Sequence, residues 1–141
     1  MAYRESFHIA APVPSVFAFF RDPRNFTAVA PAEIAFSDFV LTEQGVGTSY
    51  RWETTIAGVR LRGSDVYTEF VPDQRITDRS SSALEGTWTY TFEPDGSGTT
   101  LNVENCSRSV WKLPPLRQLL DLAAARTHRP RFQQMKATLE Q

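Results

Sequence analysis

The stretch PPLRQLLDLAAARTHRPRFQQMKATLEQ, Pro114–Gln141, ends the chain and predicts one long helix. Its core-facing residues recur at steps of three or four, which places them on one side of a helix with 3.6 residues per turn. These residues are Leu116, Leu120, Ala124, His128, Phe132, Met135 and Leu139. At 1.5 Å per residue such a helix spans roughly 40 Å, so it needs a large apolar surface to pack against.

Prolines and basic residues add detail to this helix. Pro114 and Pro115 suit its start, where a missing N–H breaks no hydrogen bond. Pro130 lies inside it and predicts a kink near Arg126, because proline removes a backbone hydrogen bond. The basic residues are expected on the outer side of the helix, in solvent or against anionic lipid headgroups. They are Arg117, Arg126, Arg129, Arg131 and Lys136.

Length and composition narrow the class of protein. The 141 residues favour a single domain, residues 1–141, with a substantial core. A net charge of −1 supplies no basic field, so nucleic acid is not expected as a partner. Cys106 is the only cysteine, which excludes an internal disulfide and fits a reducing compartment. Without a secretory signal or a run of about 20 apolar residues, the sequence predicts a cytoplasmic protein with no transmembrane segment.

Residues 3–107 predict a strand, two short helices and a six-stranded meander. Alternating residues mark Tyr3–Ile9 as the first strand, and apolar spacing marks helical turns at Val16–Phe20 and Asn25–Ala30. The clearest hairpin signal is Asp95-Gly96-Ser97-Gly98. The remaining predicted strands are Ile34–Leu41, Thr48–Ile56, Arg60–Phe70, Ile76–Ser82, Gly86–Glu93 and Thr99–Ser107.

Closing each hairpin at its turn gives a register for the sheet. The predicted pairs are Phe92–Leu101, Tyr90–Val103, Trp88–Asn105, Phe70–Ile76, Thr68–Asp78, Trp52–Ser64 and Tyr50–Val66. Opposed residues share a face and side chains alternate along a strand, so the register separates two faces. The apolar face collects Tyr50, Trp52, Val66, Phe70, Ile76, Trp88, Tyr90, Phe92, Leu101 and Val103, and the polar face carries Ser49, Arg51, Glu53, Asp65, Glu69, Thr89 and Thr91. A bent sheet whose apolar face is covered by one helix is expected to leave a cavity.

Three stretches of turn and strand-start residues carry a resemblance to a known family. They are Ile9-Ala10-Ala11-Pro12 followed by Val16-Phe17, then Gly45-Val46-Gly47-Thr48, and Gly86-Thr87-Trp88-Thr89-Tyr90-Thr91-Phe92-Glu93-Pro94 running into Gly96-Ser97-Gly98-Thr99. With them the chain resembles the polyketide cyclase/dehydrase branch of the START-like (SRPBCC) superfamily, which includes the birch-pollen allergen. The resemblance covers nearly the whole chain.

This resemblance implies a fold and a range of functions. The fold is the α+β helix-grip fold, a strongly curved antiparallel sheet of about seven strands with two short helices and a long C-terminal helix across its concave face. The family is implied to bind apolar or aromatic small molecules, sometimes lipids, and some members cyclise and dehydrate polyketide chains. Aromatase-type cyclases place an arginine and tyrosines inside the cavity, and no motif of this sequence matches that arginine.

One end of the apolar face predicts a ligand site, because it mixes aromatic rings with hydrogen-bonding groups. The other end, around Phe70 and Phe92, is wholly apolar and is expected to be closed. The predicted ligand-binding residues are Tyr50, Trp52, Ser64, Val66, Ser80, Trp88, Tyr90, Val103, Asn105, Ala124, His128 and Phe132. The alternative is a frayed sheet end whose polar groups bond to backbone or water.

Three residues are candidates for catalysis, and a fourth is weighed beside them. Asp78 is predicted on the apolar face beside Thr68, where it would hold the Tyr90 hydroxyl as an acid/base pair. The alternative is a carboxylate that is solvated or paired with an arginine. Arg62 would stabilise an oxyanion in the cavity, unless its long side chain reaches solvent at the rim. His128 suits proton transfer near neutral pH, although packing against rings is the more common role for such a histidine.

Three functional hypotheses follow from these residues. The first is a module that binds a hydrophobic or aromatic small molecule, lipid-like or polyketide-like, between sheet and helix. The second is a cyclase/dehydratase acting on a poly-β-ketone, and the third is a surface for a partner protein or a membrane. No cofactor is expected, and two histidines and one cysteine are too widely spaced for a zinc site. A titratable group deep in the cavity with its own orienting partner would distinguish an enzyme from a binding module.

Overall fold

The computed structural model describes residues 2–30, 32–56, 58–82, 85–107 and 129–141. Its strands are β1 (Ala2–Ile9), β2 (Ile34–Val40), β3 (Ser49–Ile56), β4 (Val59–Val71), β5 (Arg75–Ser82), β6 (Gly86–Asp95) and β7 (Gly98–Ser107). They form one seven-stranded sheet in the order β1-β7-β6-β5-β4-β3-β2. Every neighbouring pair is antiparallel, so β2 to β7 make a meander and β1 is added beside β7.

Helices precede and follow the meander, as the sequence predicts. Helix α1 spans Val13–Arg21, a 3-10 turn spans Pro23–Asn25, and helix α2 spans Phe26–Val29. The C-terminal helix, α3, covers 129–139 in the described part of the chain. Residues 114–128 lie outside the described residues, and with them the predicted kink near Arg126.

The register of the β6–β7 hairpin is confirmed. Tyr90 pairs with Val103, and the pairs Trp88–Asn105 and Phe92–Leu101 also form as predicted. Asp95 pairs with Gly98, and Gly96 between them has φ +63°, a value that glycine adopts without a steric cost. The local turn signal therefore sets the register of this hairpin.

The predicted register between β3 and β4 is wrong by one residue. Ile56 pairs with Val59, so the hairpin closes through two residues, and Gly58 within it has φ +79°. Tyr50 consequently lies opposite Asp65 and not opposite Val66. Because side chains alternate along a strand, this shift moves every residue of the adjoining part of β4 to the other face.

A β-bulge at Thr68 explains why the β4–β5 turn nevertheless matches the prediction. Phe70 pairs with Ile76 as expected, and Glu69 pairs with Thr77. Tyr67, however, pairs with Asp78, which leaves Thr68 as an extra residue in β4. The predicted pair Thr68–Asp78 is therefore wrong, and the alternation along β4 reverses at the bulge.

The bulge and the tight hairpin together decide which side chains of β4 enter the core. Asp65 and Tyr67 are buried, at 3% and 0% exposure. Ser64 is exposed and Val66 only half-buried. Asp65, predicted on the polar face, thus changes places with Ser64 and Val66, which were predicted on the apolar face.

One face of the sheet carries the core, and it is called here the concave face. Its buried side chains include Phe7, Tyr50, Asp65, Tyr67, Ile76, Asp78, Ser80, Trp88, Tyr90, Phe92, Leu101 and Val103. Helix α1 closes one part of it: the ring centre of Phe17 lies 5.1 Å from that of Phe70 and 5.2 Å from that of Phe92. The edge-to-face geometry of these rings is a favoured aromatic packing, so this end is closed by apolar contacts as predicted.

Helix α3 covers another part of the concave face. The Phe132 ring centre lies 5.6 Å from that of Phe7 and 6.0 Å from that of Trp88. The backbone N–H of Ala10 donates to the Glu140 carboxylate at 2.8 Å, which ties the end of β1 to the end of α3. The sheet therefore holds both groups of helices on the same side.

Candidate functional site

The carboxylate of Asp65 collects three hydrogen-bond donors on the concave face. The Trp52 indole N–H donates to Oδ1 at 2.7 Å, and the Ser80 hydroxyl donates to the same atom at 2.8 Å. The Tyr50 hydroxyl lies 3.2 Å from Oδ2. Tyr50 and Ser80 stand directly opposite Asp65 on β3 and β5, so the sheet register itself brings the donors together. Convergent donors compensate a buried carboxylate for the water it has lost.

Asp78 is the second buried carboxyl group of the site, with 0% exposure. The Tyr50 hydroxyl donates to its Oδ2 at 2.6 Å, so this hydroxyl joins Asp78 to Asp65. A hydroxyl carries only one hydrogen, and two ionised carboxylates would need more donors than it can supply. Asp78 Oδ1 has no hydrogen-bond partner among the described residues.

This environment favours the neutral form of Asp78. Burial raises the pKa of Asp78 well above its ordinary value, and the nearby Asp65 carboxylate raises it further. The Tyr50 hydrogen bond and the positive charge of Arg131 oppose the shift but do not reverse it. Desolvation and the neighbouring negative charge therefore both favour the protonated, uncharged form of Asp78 in this interior site.

Three buried tyrosines surround this pair of carboxyl groups. Burial raises the pKa of Tyr50 and of Tyr67 well above the usual value, with the acidic neighbours adding to the shift. Burial also raises the pKa of Tyr90, although the adjacent Arg131 pulls it down. The hydroxyls of Tyr50 and Tyr67 act as donors, whereas that of Tyr90 is hydrogen-bonded to the Arg131 guanidinium, which is a donor. The Tyr67 hydroxyl is used structurally, since it donates to the Phe20 carbonyl at 2.6 Å and fastens β4 to α1.

Arg131 is buried, which corrects its predicted place on the outer side of the helix. Arg131 is only 9% exposed to solvent. The guanidinium carbon lies 5.3 Å from the centre of the Trp88 ring and 4.8 Å from that of Phe132. Cation–π contacts of this kind stabilise a desolvated cation by about 2 kcal/mol. Its Nε–H finds no acceptor among the described residues.

Three aromatic rings beside Arg131 form a wall of the interior. The rings of Trp88 and Tyr90 are stacked, with centres 6.2 Å apart and planes only 6° from parallel. The Phe132 ring closes on both, at 6.0 Å from Trp88 and 6.3 Å from Tyr90. The result is an apolar wall with a cation at one border and a neutral acid on the strand next to it.

Most of the predicted site residues do lie on the concave face. Those that are buried there are Tyr50, Asp78, Ser80, Trp88, Tyr90, Val103 and Phe132, while Trp52 and Asn105 are half-buried. Asp78 is hydrogen-bonded to Tyr50, whereas Tyr90 was the predicted partner. Their roles in binding or catalysis stay predictions.

Other predicted residues are not part of this cluster. Ser64 and Val66 point away from it because of the register shift described above. Arg62 is exposed and lies 3.5 Å from Glu53, so it takes the solvent-facing place that was the alternative to an oxyanion role. Ala124 and His128 lie outside the described residues.

Two central residues, Asp65 and Arg131, are missing from the predicted site. A two-residue turn at Ala57-Gly58, taken literally, places Asp65 opposite Tyr50, so that signal was present in the sequence. Arg131 stands four residues before Met135, and the two therefore share a side of α3. Charged residues are rarely buried, so the sequence pattern alone predicted Arg131 to be exposed. The neighbouring aromatic rings and acidic groups compensate for its burial.

A depression with a volume of about 440 Å³ lies between β2, β3 and β4. Its lining residues are Asp38, Val40, Ser49, Tyr50, Arg51, Ser64, Asp65 and Val66. Tyr50 and Asp65 of the buried acid cluster are thus among them, whereas Asp78 and the aromatic wall are not.

Metal-ligand clusters and membrane-spanning helices are both absent from the described part of the chain. No group of three His, Cys, Asp or Glu side chains there is arranged to hold a metal ion. Nor does any helix in those residues combine the length and the apolar character needed to cross a membrane.

The curved antiparallel sheet with its helices on one face defines a helix-grip fold, and solved structures match it closely. Protein TTHA0849 from Thermus thermophilus matches with a TM-score of 0.84 and 19% identity, covering 99% of this chain and 97% of that one. The ZhuI aromatase/cyclase from Streptomyces sp. R1128 matches at 0.78 and 16% identity, over 99% and 93% of the two chains. Ginseng major latex-like protein 151 from Panax ginseng matches at 0.73 and 12%, over 98% and 96%. At these identities the similarity shows the fold alone.

The sequence itself identifies the family. Residues 2–140 match the family model described as polyketide cyclase/dehydrase and lipid transport, and the chain belongs to that family. The resemblance noted in the turn and strand-start motifs is thereby confirmed. A comparison with curated protein sequences finds no significant match.

Proposed function

We propose that this protein binds a hydrophobic or aromatic small molecule, lipid-like or polyketide-like, between the concave face of the sheet and the C-terminal helix. Membership of the family and the aromatic wall of Trp88, Tyr90 and Phe132 support this proposal. The observation that carries it is the burial of Asp78 and Arg131 beside that wall. Apolar area with a few convergent polar groups is the usual composition of a small-molecule site.

A purely structural explanation of these polar groups is less favourable. Buried ionisable groups are costly, and well-packed apolar residues of similar size often stabilise a core better. Buried polar atoms without partners are rare in folded proteins and call for a functional explanation. Asp78 and Arg131 each contain such an atom within the described residues. A bound molecule that meets these atoms supplies that explanation.

Titration with the fluorescent probe 1-anilinonaphthalene-8-sulfonate (ANS) tests the binding function. The wild-type protein should bind the probe saturably, and Trp88→Ala should weaken the affinity at least about fivefold because it removes the largest ring of the wall. Phe92→Leu is the matched control, since it perturbs a buried ring at the closed end, against Phe17. Circular dichroism should establish that both variants are folded.

Two results would contradict this proposal. One is the absence of saturable probe binding by the wild-type protein, and the other is equal affinity in a folded Trp88→Ala variant. Native mass spectrometry of protein purified from its own host complements the titration, because a co-purifying small molecule would show as a discrete added mass.

A second candidate function is a cyclase/dehydratase reaction on a poly-β-ketone chain, favoured by the neutral acid Asp78. A buried carboxylic acid donates its proton to a carbonyl or a departing hydroxyl, as a general acid does. Tyr50 orients Asp78, and the Tyr90 hydroxyl lies at the same wall beside Arg131. Arg62 is too exposed to take the oxyanion role first considered for it.

Incubation with linear poly-β-ketone mimics tests the enzymatic alternative. The wild-type protein should change the ratio of cyclised products relative to buffer, and Asp78→Asn and Tyr90→Phe should return the ratio toward that of buffer. Arg62→Gln, on the solvent side, should behave as wild type. Identical product ratios for wild type and Asp78→Asn would remove Asp78 from any catalytic role. A cytoplasmic location and the absence of a nucleic-acid partner stay predictions from composition.

A further inference from the structure

We propose that the depression between β2, β3 and β4 is a second binding site, which takes a small phosphate monoester through Arg51. The site lies on the side of the sheet that faces away from the helices, called here the outer face. It is separate from the interior site between the sheet and the C-terminal helix. It therefore does not depend on the binding function proposed above.

The strand register places the polar lining of the depression on the outer face. Arg51 stands directly opposite Ser64 in the β3–β4 pair, so the two side chains share a face of the sheet. Their neighbours along the strands, Tyr50 and Asp65, are buried on the concave face, and consecutive side chains point to opposite faces. Arg51 and Ser64 are accordingly exposed. The volume of about 440 Å³ is within the range of small-molecule sites.

Arg51 is only loosely held by its acidic neighbour. Its Nη1 lies 3.7 Å from Asp38 Oδ2, which is longer than a charge-assisted hydrogen bond of about 2.7–2.9 Å. The two side chains are 71% and 68% exposed. Exposed ion pairs of this kind contribute little to stability. An anion with a better geometry can therefore take the guanidinium from Asp38.

A β-bulge in β2 brings Asp38 to the border of the depression. Ser37 stands opposite Arg51 and Val40 opposite Ser49, and the register shifts between the two pairs. Asp38 lies within this shift and has φ +53°, a conformation that aspartate tolerates better than most residues. Bulges of this kind redirect a side chain. Asp38 is thus an acid that competes with a bound anion for Arg51.

The outer face around the depression carries an excess of positive charge. Glu53 is shared by two arginines, since it pairs with Arg60 and lies 3.5 Å from Arg62. Arg79 of β5 is exposed and has no ion pair within the described residues. In this region four arginines accompany two acids, namely Arg51, Arg60, Arg62 and Arg79 with Asp38 and Glu53. The whole chain has a net charge of −1, so this local excess favours an anionic ligand.

The donors of the site suit a phosphate group. A guanidinium binds two phosphate oxygens at once, and the Ser64 hydroxyl opposite Arg51 adds a donor that is not used within the described residues. Arg79 stands opposite Val66, which makes it a diagonal neighbour of Ser64 within reach of a long side chain. A phosphate monoester carries a charge of about −1.5 to −2 at neutral pH and three acceptor oxygens, more than a carboxylate offers.

The rest of the lining selects a monoester with a small organic group. Val40 and Val66 lie in the depression beside the polar residues. Their side chains offer apolar contact to a group attached to the phosphate. A cationic ligand would be repelled by the surrounding arginines, and a neutral one would leave Arg51 with only its long contact to Asp38.

Titration of ¹⁵N-labelled protein with phenyl phosphate, followed by ¹H–¹⁵N NMR at pH 7.5, tests the site. The salt concentration should be low, because exposed charges are screened by salt. The backbone amides of residues 49–51 and 64–66 should shift saturably, with a dissociation constant of about 1 mM or below. Phenol, the neutral analogue, should leave these amides unshifted.

Three substitutions assign the binding to Arg51. Arg51→Gln should weaken phenyl phosphate binding at least about tenfold, whereas Asp38→Asn should strengthen it about threefold because the competing carboxylate is lost. Arg4→Gln is the matched control, since Arg4 is also exposed and pairs with an acid, Glu104, on distant strands. That control should keep the wild-type affinity.

Vesicles distinguish a lipid headgroup from a soluble ester as the source of the phosphate. Recruitment of the protein to phosphatidylcholine vesicles that contain phosphatidic acid, lost in Arg51→Gln, would support the site and identify a lipid phosphate. Binding of phenyl phosphate without such recruitment would support the site and identify a soluble monoester. Vesicles of phosphatidylcholine alone are the control.

Three results would overturn the proposal. The first is no saturable shift of residues 49–51 and 64–66 with phenyl phosphate up to about 20 mM. The second is an unchanged affinity in Arg51→Gln, and the third is a weaker affinity in Asp38→Asn. Arg51→Gln should also bind ANS as the wild-type protein does. Failure of this site is therefore distinguishable from failure of the interior binding function.

Discussion

Asp65 and Asp78 show how the same residue type acquires different properties from its neighbours. Trp52 and Ser80 donate to Asp65, with the Tyr50 hydroxyl close by. Asp78 accepts the shorter hydrogen bond from Tyr50 and is itself hydrogen-bonded to Asp65 through its side chain. Asp78 is also the more deeply buried, and desolvation acts against its charged form. Asp65 is therefore an acceptor with several donors, whereas the surroundings of Asp78 favour its protonated form. Both residues belong to one cross-strand cluster.

The pH dependence of stability should report the proton on Asp78. Because the pKa of Asp78 is raised in the folded state, its stabilising contribution is complete below the unfolded pKa, about 3.9. That contribution is lost as the pH rises toward the folded-state pKa, at up to about 1.4 kcal/mol per pH unit. Asp78→Asn mimics the neutral acid and does not titrate. The Tm of Asp78→Asn minus that of wild type should therefore increase from pH 4 to pH 8.

Asp73→Asn is the control for this measurement, since Asp73 lies exposed in the β4–β5 turn with φ +59°, which asparagine tolerates. Its Tm should follow the wild-type curve. Parallel curves for Asp78→Asn and wild type across the whole range would show that Asp78 carries no shifted proton.

Removal of the Asp65 carboxylate should be among the most destabilising single changes in the sheet. Asp65→Leu leaves the Trp52 indole and the Ser80 hydroxyl without their shared acceptor, and two unsatisfied buried donors together cost about 3 kcal/mol. Asp65→Asn keeps one acceptor oxygen and should cost less. Urea unfolding gives both values, with exposed Glu93→Leu as control. A loss below about 1 kcal/mol for Asp65→Leu would refute this account of the cluster.

At the scale of elements, β4 decides the composition of the site. A tight hairpin with β3 and a bulge at Thr68 together turn Asp65 and Tyr67 inward and still keep Phe70 against the core. Because of the bulge, β4 contributes to the polar cluster in its first part and to the apolar, closed end in its last part. Helix α1 completes the closed end through Phe17.

The loop before β3 should tolerate substitution poorly, because it packs on that closed end. Gly45 has φ +86°, and a Cβ there would lie 2.3 Å from the Phe70 ring. Gly96 has φ +63° with nothing within 4 Å, so Gly96→Ala should cost only the backbone strain, about 1 kcal/mol. Gly45→Ala adds overpacking of about 1–3 kcal/mol to a similar strain. Urea unfolding gives the free energy of unfolding of both variants. Equal losses in the two would mean that the Phe70 ring moves aside without an energetic penalty.

At the scale of the whole molecule, the described part of α3 joins the two ends of the chain to the centre of the sheet. Phe132 touches Phe7 of β1 and Trp88 and Tyr90 of β6. Glu140 holds the end of β1, and Arg129 pairs with Glu5 at 3.2 Å. The helix therefore contributes both to stability and to the wall of the proposed site.

Phe132→Ala should lower the free energy of unfolding, because it removes the ring that packs α3 against the sheet. Truncation of a fully buried phenylalanine costs about 3–5 kcal/mol, and Phe132 is 1% exposed. Thr138→Ala, on the exposed side of the same helix, should change the unfolding free energy by less than about 0.5 kcal/mol. Chemical denaturation supplies both numbers. A loss under about 1 kcal/mol for Phe132→Ala would show that α3 is not needed to hold the sheet together.

The described strands and helices, the meander order, the β6–β7 register and the family follow from the amino-acid sequence. These depend on local information: the alternation of side chains, the spacing of apolar residues, and turn residues such as Asp95-Gly96-Ser97-Gly98. Most of the buried aromatic wall follows from the same patterns, because Trp88 and Tyr90 alternate with threonines on β6.

Which polar groups enter the interior depends largely on contacts that form only in the folded chain. The Ala57-Gly58 turn gives Asp65 its place opposite Tyr50, but only a bulge at Thr68 lets this register coexist with the Phe70–Ile76 pair. The burial of Arg131 depends on the Trp88 ring of β6 and on Asp78 of β5, both of them distant from it in sequence. A charged side chain is placed by the sum of its desolvation cost and its partners, and those partners come together only when the chain has folded.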